Sequence, residues 1–314
     1  MRETEEETGS LAVGTRAVVD VPATSANLGP GFDCFGLALE WHDRVGLEVI
    51  EDGFVAEVTG EGADQVLTDE RHLIVSSARA GLADLGVEVP GLRVRSHNTI
   101  PHGRGLGSSS AAIVAGLAGA LALAGRALDP DWLLRHANRI EGHPDNVAAA
   151  IHGGFVLAYA DERDPEGTVR VAGVPVLPEI SAVVWVPAAP VATEVARGLL
   201  PATVPHADAA ANAGRAALLV HAMSADPSLL PAATRDWLHQ SYRAPAMPDS
   251  AELVRRLRAD GHAALISGAG PTVLALTRGD EVAGLIARDT PGFAVRGLRT
   301  GGGVRVVARA EREL

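Results

Sequence analysis

Lysine is absent: all 27 basic residues among the 314 are arginine. Without an ε-amino group the chain forms no lysine Schiff base and no pyridoxal-phosphate anchor. It also lacks the lysine of a P-loop and the phosphate-gripping lysine of a protein kinase. Cysteine is nearly absent too. Cys34 stands alone, which excludes an internal disulfide and a cysteine-built zinc cluster; it reads as a buried structural residue, not a nucleophile. Long apolar runs are missing, since the longest stretch of low polarity, residues 111–124, is too short and too rich in Ala and Gly to span a bilayer. The acidic opening, with Glu3, Glu5, Glu6 and Glu7, has neither the basic nor the apolar segment of a secretory leader, so a cytoplasmic location is expected. Positive charge is in deficit as well. Against 39 acidic residues the formal net charge is −12, which repels nucleic acid and anionic membrane, and neither is expected as a partner.

What is present suffices for a folded core. Hydrophobic residues make up 47% and charged residues 21%, and the length fits one large or two medium domains. Residues 16–22 (RAVVDVP) read as a strand, followed by a shaped loop over residues 23–33, where Gly29, Pro30 and Gly31 forbid regular structure. Strand-like alternation returns over 36–50 and 92–96. Residues 72–85 have helical spacing, with Leu73, Ser77, Ala80 and Leu85 on one side. A glycine-rich loop over 100–110 leads into a small-residue helix over 110–124, with Gly125 as its C′ residue. A helix follows over 131–139, with Asp129 or Asp131 near its N-cap, then a strand over 155–159. The charged DERDPEG segment, residues 161–167, is the best internal hairpin or linker signal. Beyond it, 180–186 is strand-like, and 207–223 and 250–259 are helical, the second with Arg255, Arg256 and Arg258 on its wet side. Apolar runs at 263–266 and 272–277 flank a third glycine loop, and 304–308 reads as a final strand. Strands and helices mix without a regular βαβ rhythm, which favours an α+β fold over a doubly wound sheet.

The segment PHGRGLGSSSAA, residues 101–112, carries the chemistry. A glycine-rich turn opening into a helix aims free backbone N–H groups and the positive helix end at one point, and serine hydroxyls there can hold phosphate or a metal. The spacing is neither GxGxxG nor GxxxxGK[ST]. It resembles the ATP-phosphate loop of the galactokinase, homoserine kinase, mevalonate kinase and phosphomevalonate kinase (GHMP) superfamily. SGAGPTV, residues 267–273, resembles that superfamily's C-terminal glycine motif. VPATSANLGPGFDCFGLAL (residues 21–39) and EGHPDNVAAAIHGG (residues 141–154) are similar to segments of its homoserine kinase subgroup. The four segments stand in family order across nearly the whole chain.

The resemblance implies a fold, a site and a reaction. It implies an N-terminal domain over residues 15–160 like ribosomal protein S5 domain 2, a C-terminal ferredoxin-like domain over 161–303, and a last strand and tail over 304–314 returning to the first. ATP is implied at Pro101, Gly103, Arg104, Gly105, Leu106, Gly107, Ser108, Ser109, Ser110, Ser267, Gly268 and Gly270. Mg2+ is implied at Ser109 and Glu141. The implied reaction phosphorylates the hydroxyl of L-homoserine, a small zwitterion. Asn27, Asp33, His143, Asn146, Thr193, Arg197 and Arg243 are the implied substrate residues, with Asp33 facing the ammonium and Arg243 the carboxylate. Several relatives have a catalytic Asp where this chain has Asn146. Amide nitrogen and oxygen make no useful base, so the resemblance implies catalysis by positioning, with Asn146 and Arg197 orienting the hydroxyl and stabilising charge. Asp145 reads as a helix cap. His72 stands where relatives often carry Asn near the nucleotide base, and Ser110 is an extra hydroxyl without an assigned role. A homodimer is common in the family. The rival readings are another kinase of the superfamily, such as mevalonate kinase, and a non-catalytic nucleotide or metabolite sensor. The missing lysine argues against the first, and the intact glycine motifs with Ser109 and Glu141 argue against the second.

Overall fold

The structure, a computed structural model, describes residues 9–161, 163 and 168–307. Strands β1 (Gly9–Ser10), β2 (Arg16–Ala26), β3 (Phe35–Ile50) and β4 (Gly53–Gly60) precede helix α1 (Leu73–Asp84) and strands β5 (Val87–Glu88) and β6 (Gly91–Asn98). Helices α2 (Ser108–Leu123), α3 (Pro130–Glu141) and α4 (Pro144–His152) follow, then strands β7 (Phe155–Ala160) and β8 (Val169–Val174). The second half runs β9 (Ile180–Pro187), α5 (Thr193–Gly198), α6 (His206–Ser224), α7 (Leu230–Ala233), α8 (Gln240–Arg243) and α9 (Pro248–Ala259). It ends with β10 (Ala263–Ile266), β11 (Val273–Arg278), α10 (Val282–Ile286), β12 (Phe293–Arg299) and β13 (Arg305–Val306).

The larger sheet has the order β13-β2-β3-β6-β4, and β7 joins the first residues of β3 and carries β8 on its other side. β2 runs on past the expected end at residue 22, because a register shift between Pro22 and Ala23 absorbs the proline and lets ATSA continue the ladder to Ala26. Helix α2 lies across this sheet and is buried along nearly its whole length. Its small residues set that depth. A Cβ on Gly116 would stand 2.6 Å from the carbonyl oxygen of Ile74 on α1, and one on Gly119 would stand 2.4 Å from Leu47 of β3. Beyond α2, Gly125 adopts φ 69°, and the N–H groups of Gly125 and Arg126 return to Ala122 and Leu121 as a Schellman cap.

The four strands β10-β11-β9-β12 form an antiparallel second sheet. Strands β9, β10 and β11 are buried on both faces, which is why they read as continuous apolar runs, whereas β12 at the edge buries only Leu298. On β9, Ala182, Val184 and Val186 join the main core with Leu219 and Met223 of α6. Val183 and Trp185 point the other way, into a second core with Leu253 and Leu257 of α9.

Several expectations need correction. The buried residues of α1 are Ile74, Val75, Ser77, Ala78, Gly81 and Leu82, while Ala80 is exposed. Arg258 is not on the wet side of α9; half-buried, it donates to the carbonyls of Ala264 (2.6 Å) and Thr234 (2.8 Å). β4, β8 and β12 were not read from the sequence, and α4 only as a helix capped by Asp145. β8 pairs antiparallel with β7, so the larger sheet continues past residue 160 and the change of sheet falls between Val174 and Ile180, not at residue 161. Residues 162 and 164–167 of the DERDPEG segment lie outside the described residues, as do the acidic opening through residue 8 and the tail from residue 308. β13 returns to the first sheet, pairing Arg305 with Asp20 and Val306 with Val19. Buried Asp20 accepts from Arg305 (2.7 Å) and from Arg44 (2.7 and 2.9 Å). Among the described residues no helix is long and apolar enough to cross a membrane.

Candidate active site

The loop between β6 and α2 is built on alternating glycines. Gly103, Gly105 and Gly107 take φ of 65°, 72° and 69°, a region closed to most side chains. Gly107 is the N-cap of α2, and no side chain caps the helix, so its first N–H groups and dipole face the cavity in front of them. The loop is fixed at three points. Buried Leu106 gives its carbonyl to the N–H of Thr24 (3.0 Å). Gly105 sits so close to the turn between β10 and β11 that a Cβ would stand 2.2 Å from the Ser267 carbonyl oxygen. Buried Ser267 donates its hydroxyl to the Gly105 carbonyl (2.6 Å), and its oxygen lies 2.8 Å from the Ser25 hydroxyl. Two glycine motifs 162 residues apart in the sequence thus meet as one surface.

At the end of α3, Oε1 of Glu141 accepts from the Ser109 hydroxyl (2.7 Å) and the Ser110 hydroxyl (2.8 Å). Ser110 is fully buried; the serine without an assigned role fixes this carboxylate. Among the described residues no cluster of three or more His, Cys, Asp or Glu could hold a metal. A hydroxyl and a carboxylate beside a phosphate cradle instead fit Mg2+, a hard ion that keeps waters and takes substrate phosphates as ligands.

Across the cavity the chain from Asn27 to Asp33 is held in an unusual path: Asn27, Leu28 and Asp33 take φ of 67°, 47° and 55° without being glycine. Asn27 locks it. Its Oδ1 accepts the Asp33 N–H (2.9 Å), and its Nδ2 donates to the Gly268 carbonyl (2.9 Å). Asp33 is then placed opposite Arg197 of α5, and the two form a bidentate pair (2.7 and 3.0 Å), which holds the Arg197 guanidinium more firmly protonated. Arg243 is buried beneath them. Burial, then the neighbouring Arg197 charge, weakens its hold on the proton. The ring of Phe32 lies under both guanidiniums, 5.7 Å from that of Arg197 and 5.3 Å from that of Arg243.

Helix α4 supplies the third wall. Its N-cap is His143, and Asp145 is inside the first turn, not the cap residue expected. Asp145 Oδ1 accepts the Asn146 N–H (2.7 Å) and lies 3.0 Å from Nδ1 of His143; this hydrogen bond raises the His143 pKa above its ordinary value. Asn146 Oδ1 accepts from the Thr24 hydroxyl (2.8 Å), its Nδ2 reaches Asp145 Oδ1 at 3.5 Å, and the residue lines the cavity. That cavity measures about 250 Å³.

A family model described as "GHMP kinases N terminal domain" matches residues 72–154, and one described as "GHMP kinases C terminal" matches residues 209–289. The chain is 55% identical over 265 residues to the homoserine kinase of Streptomyces coelicolor, covering 83% of this chain and 84% of that one. It is 47% identical over 300 residues to the homoserine kinase of Corynebacterium urealyticum, covering 94% and 98%. The chain belongs to the homoserine kinase family. A crystal structure of homoserine kinase from Cytophaga hutchinsonii superposes with a TM-score of 0.82 at 28% identity, over 94% of this chain and 98% of that one.

Most residues that the homoserine kinase resemblance singled out line the one cavity: Gly103, Gly105, Gly107, Ser108 and Ser109 with Glu141, and Asn27, Asp33, His143, Asn146, Thr193, Arg197, Arg243 and Gly268. Six do not. Leu106, Ser110, Ser267 and Gly270 stand behind the lining as supports. Pro101 and Arg104 border a separate groove beside Trp41 and Phe293, and the Arg104 guanidinium donates to the carbonyls of His102 and Ala188, away from the cavity. A second cavity of about 320 Å³ adjoins through Ser108 and Ser109 and contains His72, Asn98, His102 and Asp43. His72 is buried there, and burial lowers its pKa. Asp43 accepts the N–H groups of Thr99 (2.5 Å) and Ile100 (2.9 Å), at the start of the glycine loop; burial pushes its pKa up to about 6. Cys34 is only half-buried, and burial with the charges of Asp145 and Asp33 pushes its thiol up to about 11, which suits an inert residue. The sequence reading missed Thr24, Phe32 and His239. Thr24 and Phe32 lie inside the quoted segment 21–39, and His239 stands four residues before Arg243, so proximity to those residues was the available signal.

Proposed function

We propose that this chain transfers the γ-phosphoryl group of ATP to the side-chain hydroxyl of L-homoserine, giving O-phospho-L-homoserine for threonine biosynthesis. The observation that carries the reading is one cavity with two chemistries: a phosphate cradle at the N-terminus of α2 faces an Asp33, Arg197 and Arg243 cluster suited to a small zwitterion. The substrate ammonium takes Asp33, and its carboxylate takes Arg243. Asn146, held by Thr24, orients the hydroxyl, and Arg197, released from Asp33, stabilises the charge that develops. The hydroxyl oxygen bonds to the γ-phosphorus as the bond to the bridging oxygen breaks, ADP leaves, and the hydroxyl proton departs on a phosphoryl oxygen. Positioning and electrostatics suffice for such a loose transition state. Mg2+, when bound, neutralises phosphate charge; Ser109 and Glu141 would hold it, with Ser110 steadying the carboxylate.

The fold reading goes with it. A β-α-β-β-α-β order in the second sheet supports a ferredoxin-like C-terminal domain, beside a first domain like ribosomal protein S5 domain 2. A cytoplasmic location, where ATP is made available, and a homodimer belong to the same proposal, the dimer on the family resemblance alone.

ADP release by the purified chain with MgATP is to be measured with L-homoserine, mevalonate, galactose or no acceptor, with the product identified by 31P NMR. Release only with homoserine supports the reading; release with mevalonate or galactose instead overturns it.

A further inference from the structure

We propose that His239 is the positioning residue for substrate-carboxylate recognition: its ring joins the Arg243 guanidinium to the Asn27-to-Asp33 loop in one hydrogen-bonded chain. The proposal rests on the reading that Arg243 holds the carboxylate of homoserine.

The local fold presents His239 rigidly. Oδ1 of Asp236 accepts the N–H groups of Leu238 (2.7 Å) and His239 (2.8 Å), starting the single turn of α8. Gln240 accepts the Ile266 N–H (2.6 Å), which ties that turn to the strand end just before Ser267. His239 and Arg243 are four residues apart and so share a helix face. The His239 ring is fully buried. Its Nε2 lies 2.8 Å from the Gly29 carbonyl oxygen, and its Nδ1 lies 3.1 Å from NH1 of Arg243.

These partners leave one tautomer. A carbonyl only accepts, so Nε2 carries the hydrogen; a guanidinium only donates, so Nδ1 is bare. Burial favours the same neutral ring by disfavouring its charged form. Among the described residues, without Nδ1 as acceptor NH1 of Arg243 keeps only a long contact to the Gly268 carbonyl (3.3 Å), and the buried Nε of Arg243 already has no partner. Phe32 packs against the His239 ring (5.5 Å) and beneath the Arg243 guanidinium, which closes the assembly. Through Gly29, the carboxylate site and the ammonium site at Asp33 are held at one separation.

Two amide replacements divide the ring's work. In His239→Gln the side-chain amide reaches the Nε2 position and keeps a donor for Gly29, but Arg243 loses its acceptor. In His239→Asn the amide oxygen sits at the Nδ1 position and keeps that acceptor. His239→Gln is expected to raise KM for homoserine about tenfold or more, the scale of one hydrogen bond to a charged group, with kcat and KM for MgATP within about threefold. His239→Asn is expected to stay within about threefold of the unaltered KM. On an Arg243→Gln background, His239→Gln is expected to add less than about twofold, since its effect passes through the missing arginine. Additive effects, or an unchanged KM in His239→Gln, overturn the proposal. 15N NMR of histidine-labelled unaltered protein tests it without any variant: the buried ring should be the neutral Nε2–H tautomer, and an Nδ1–H or protonated ring overturns it. If the unaltered protein shows no homoserine-dependent turnover, the functional reading fails instead, and the tautomer still decides whether His239 accepts from Arg243.

Discussion

Replacing Gly105 by alanine should disable the phosphate loop without unfolding the protein. The added Cβ would stand 2.2 Å from the Ser267 carbonyl oxygen and 2.9 Å from that of Gly270, where ordinary contact begins at 3.4 Å. The opposing groups are backbone atoms and cannot swing aside, so the loop and the turn must part by about 1.2 Å, the difference between 3.4 and 2.2. A displacement of that size at a phosphate cradle is worth about 10²-fold in turnover, or about 2.7 kcal/mol on the activation scale. Backbone strain adds about 1 kcal/mol of stability loss, because φ is positive. Gly125→Ala is the matched control. It has nearly the same φ (69° against 72°), but a Cβ there meets nothing within 4 Å. It should lower Tm by roughly 1–2 °C and leave turnover unchanged, while Gly105→Ala should lower Tm by about two to three times as much. Steady-state ADP release and thermal melts with and without MgATP separate the two effects, and Gly105→Ala should also lose most of the MgATP-induced rise in Tm. Turnover within about threefold of the unaltered enzyme, together with a normal MgATP-induced rise, would refute the claim that contact between the two glycine motifs sets the cradle.

Three further outcomes are expected. Glu141→Ala should cost on the order of 10²-fold in kcat at saturating MgATP with homoserine binding little changed, and a loss of less than about threefold would make the carboxylate a bystander. Asn146→Asp should not speed the reaction, because a carboxylate beside an anionic triphosphate adds repulsion and offers no donor; a faster variant whose rate follows a new carboxylate ionisation would mean that the site wants a base. Burial lifts the Asp43 pKa from 3.8 to about 6, so the folded state binds that proton more tightly than the unfolded chain. The stability so gained, on the order of 3 kcal/mol, is full below the unfolded value and is lost as the pH rises through the folded one. Asp43→Asn lacks this loss, so its Tm relative to the unaltered protein should climb between about pH 4 and pH 6.5, and a flat difference would remove Asp43 from the account.

The glycine loop and its helix were legible in the sequence because their chemistry is local: glycine spacing and a following small-residue helix need only neighbouring residues. Glu141 stands 32 residues from Ser109 and was singled out by the family resemblance alone. α4 was harder to see, since HPDN reads as a functional cluster and masks a nine-residue helix starting at Pro144. β8 and β12 alternate short apolar residues with Arg and Gly, and their strand character comes from pairing with distant partners. The pairing of Asp33 with Arg197 joins residues 164 apart, and nothing in either segment announces it; each was assigned a substrate group without regard to the other. Arg258 looked solvated because helical spacing leaves it at the border of the apolar face, and only the fold brings the Thr234 and Ala264 carbonyls to it. His239 was passed over because the neighbouring arginine was the residue with an evident task.

The chain's two ends are stitched together at Asp20. A strand laid down early in synthesis has its outer edge covered by Arg305 and Val306, and the aspartate buried there acquires its second arginine from the same late segment. On a ribosome adding about 5–20 residues per second, β2 therefore waits with an open edge for roughly 15–60 seconds before the segment that seals it emerges. During that interval the nascent first domain has an open strand edge and a carboxylate served by Arg44 without Arg305, so the edge is exposed to misassembly while the second domain is still being made. Shortening the chain by its last ten residues removes Arg305 and Val306 and makes that transient condition permanent.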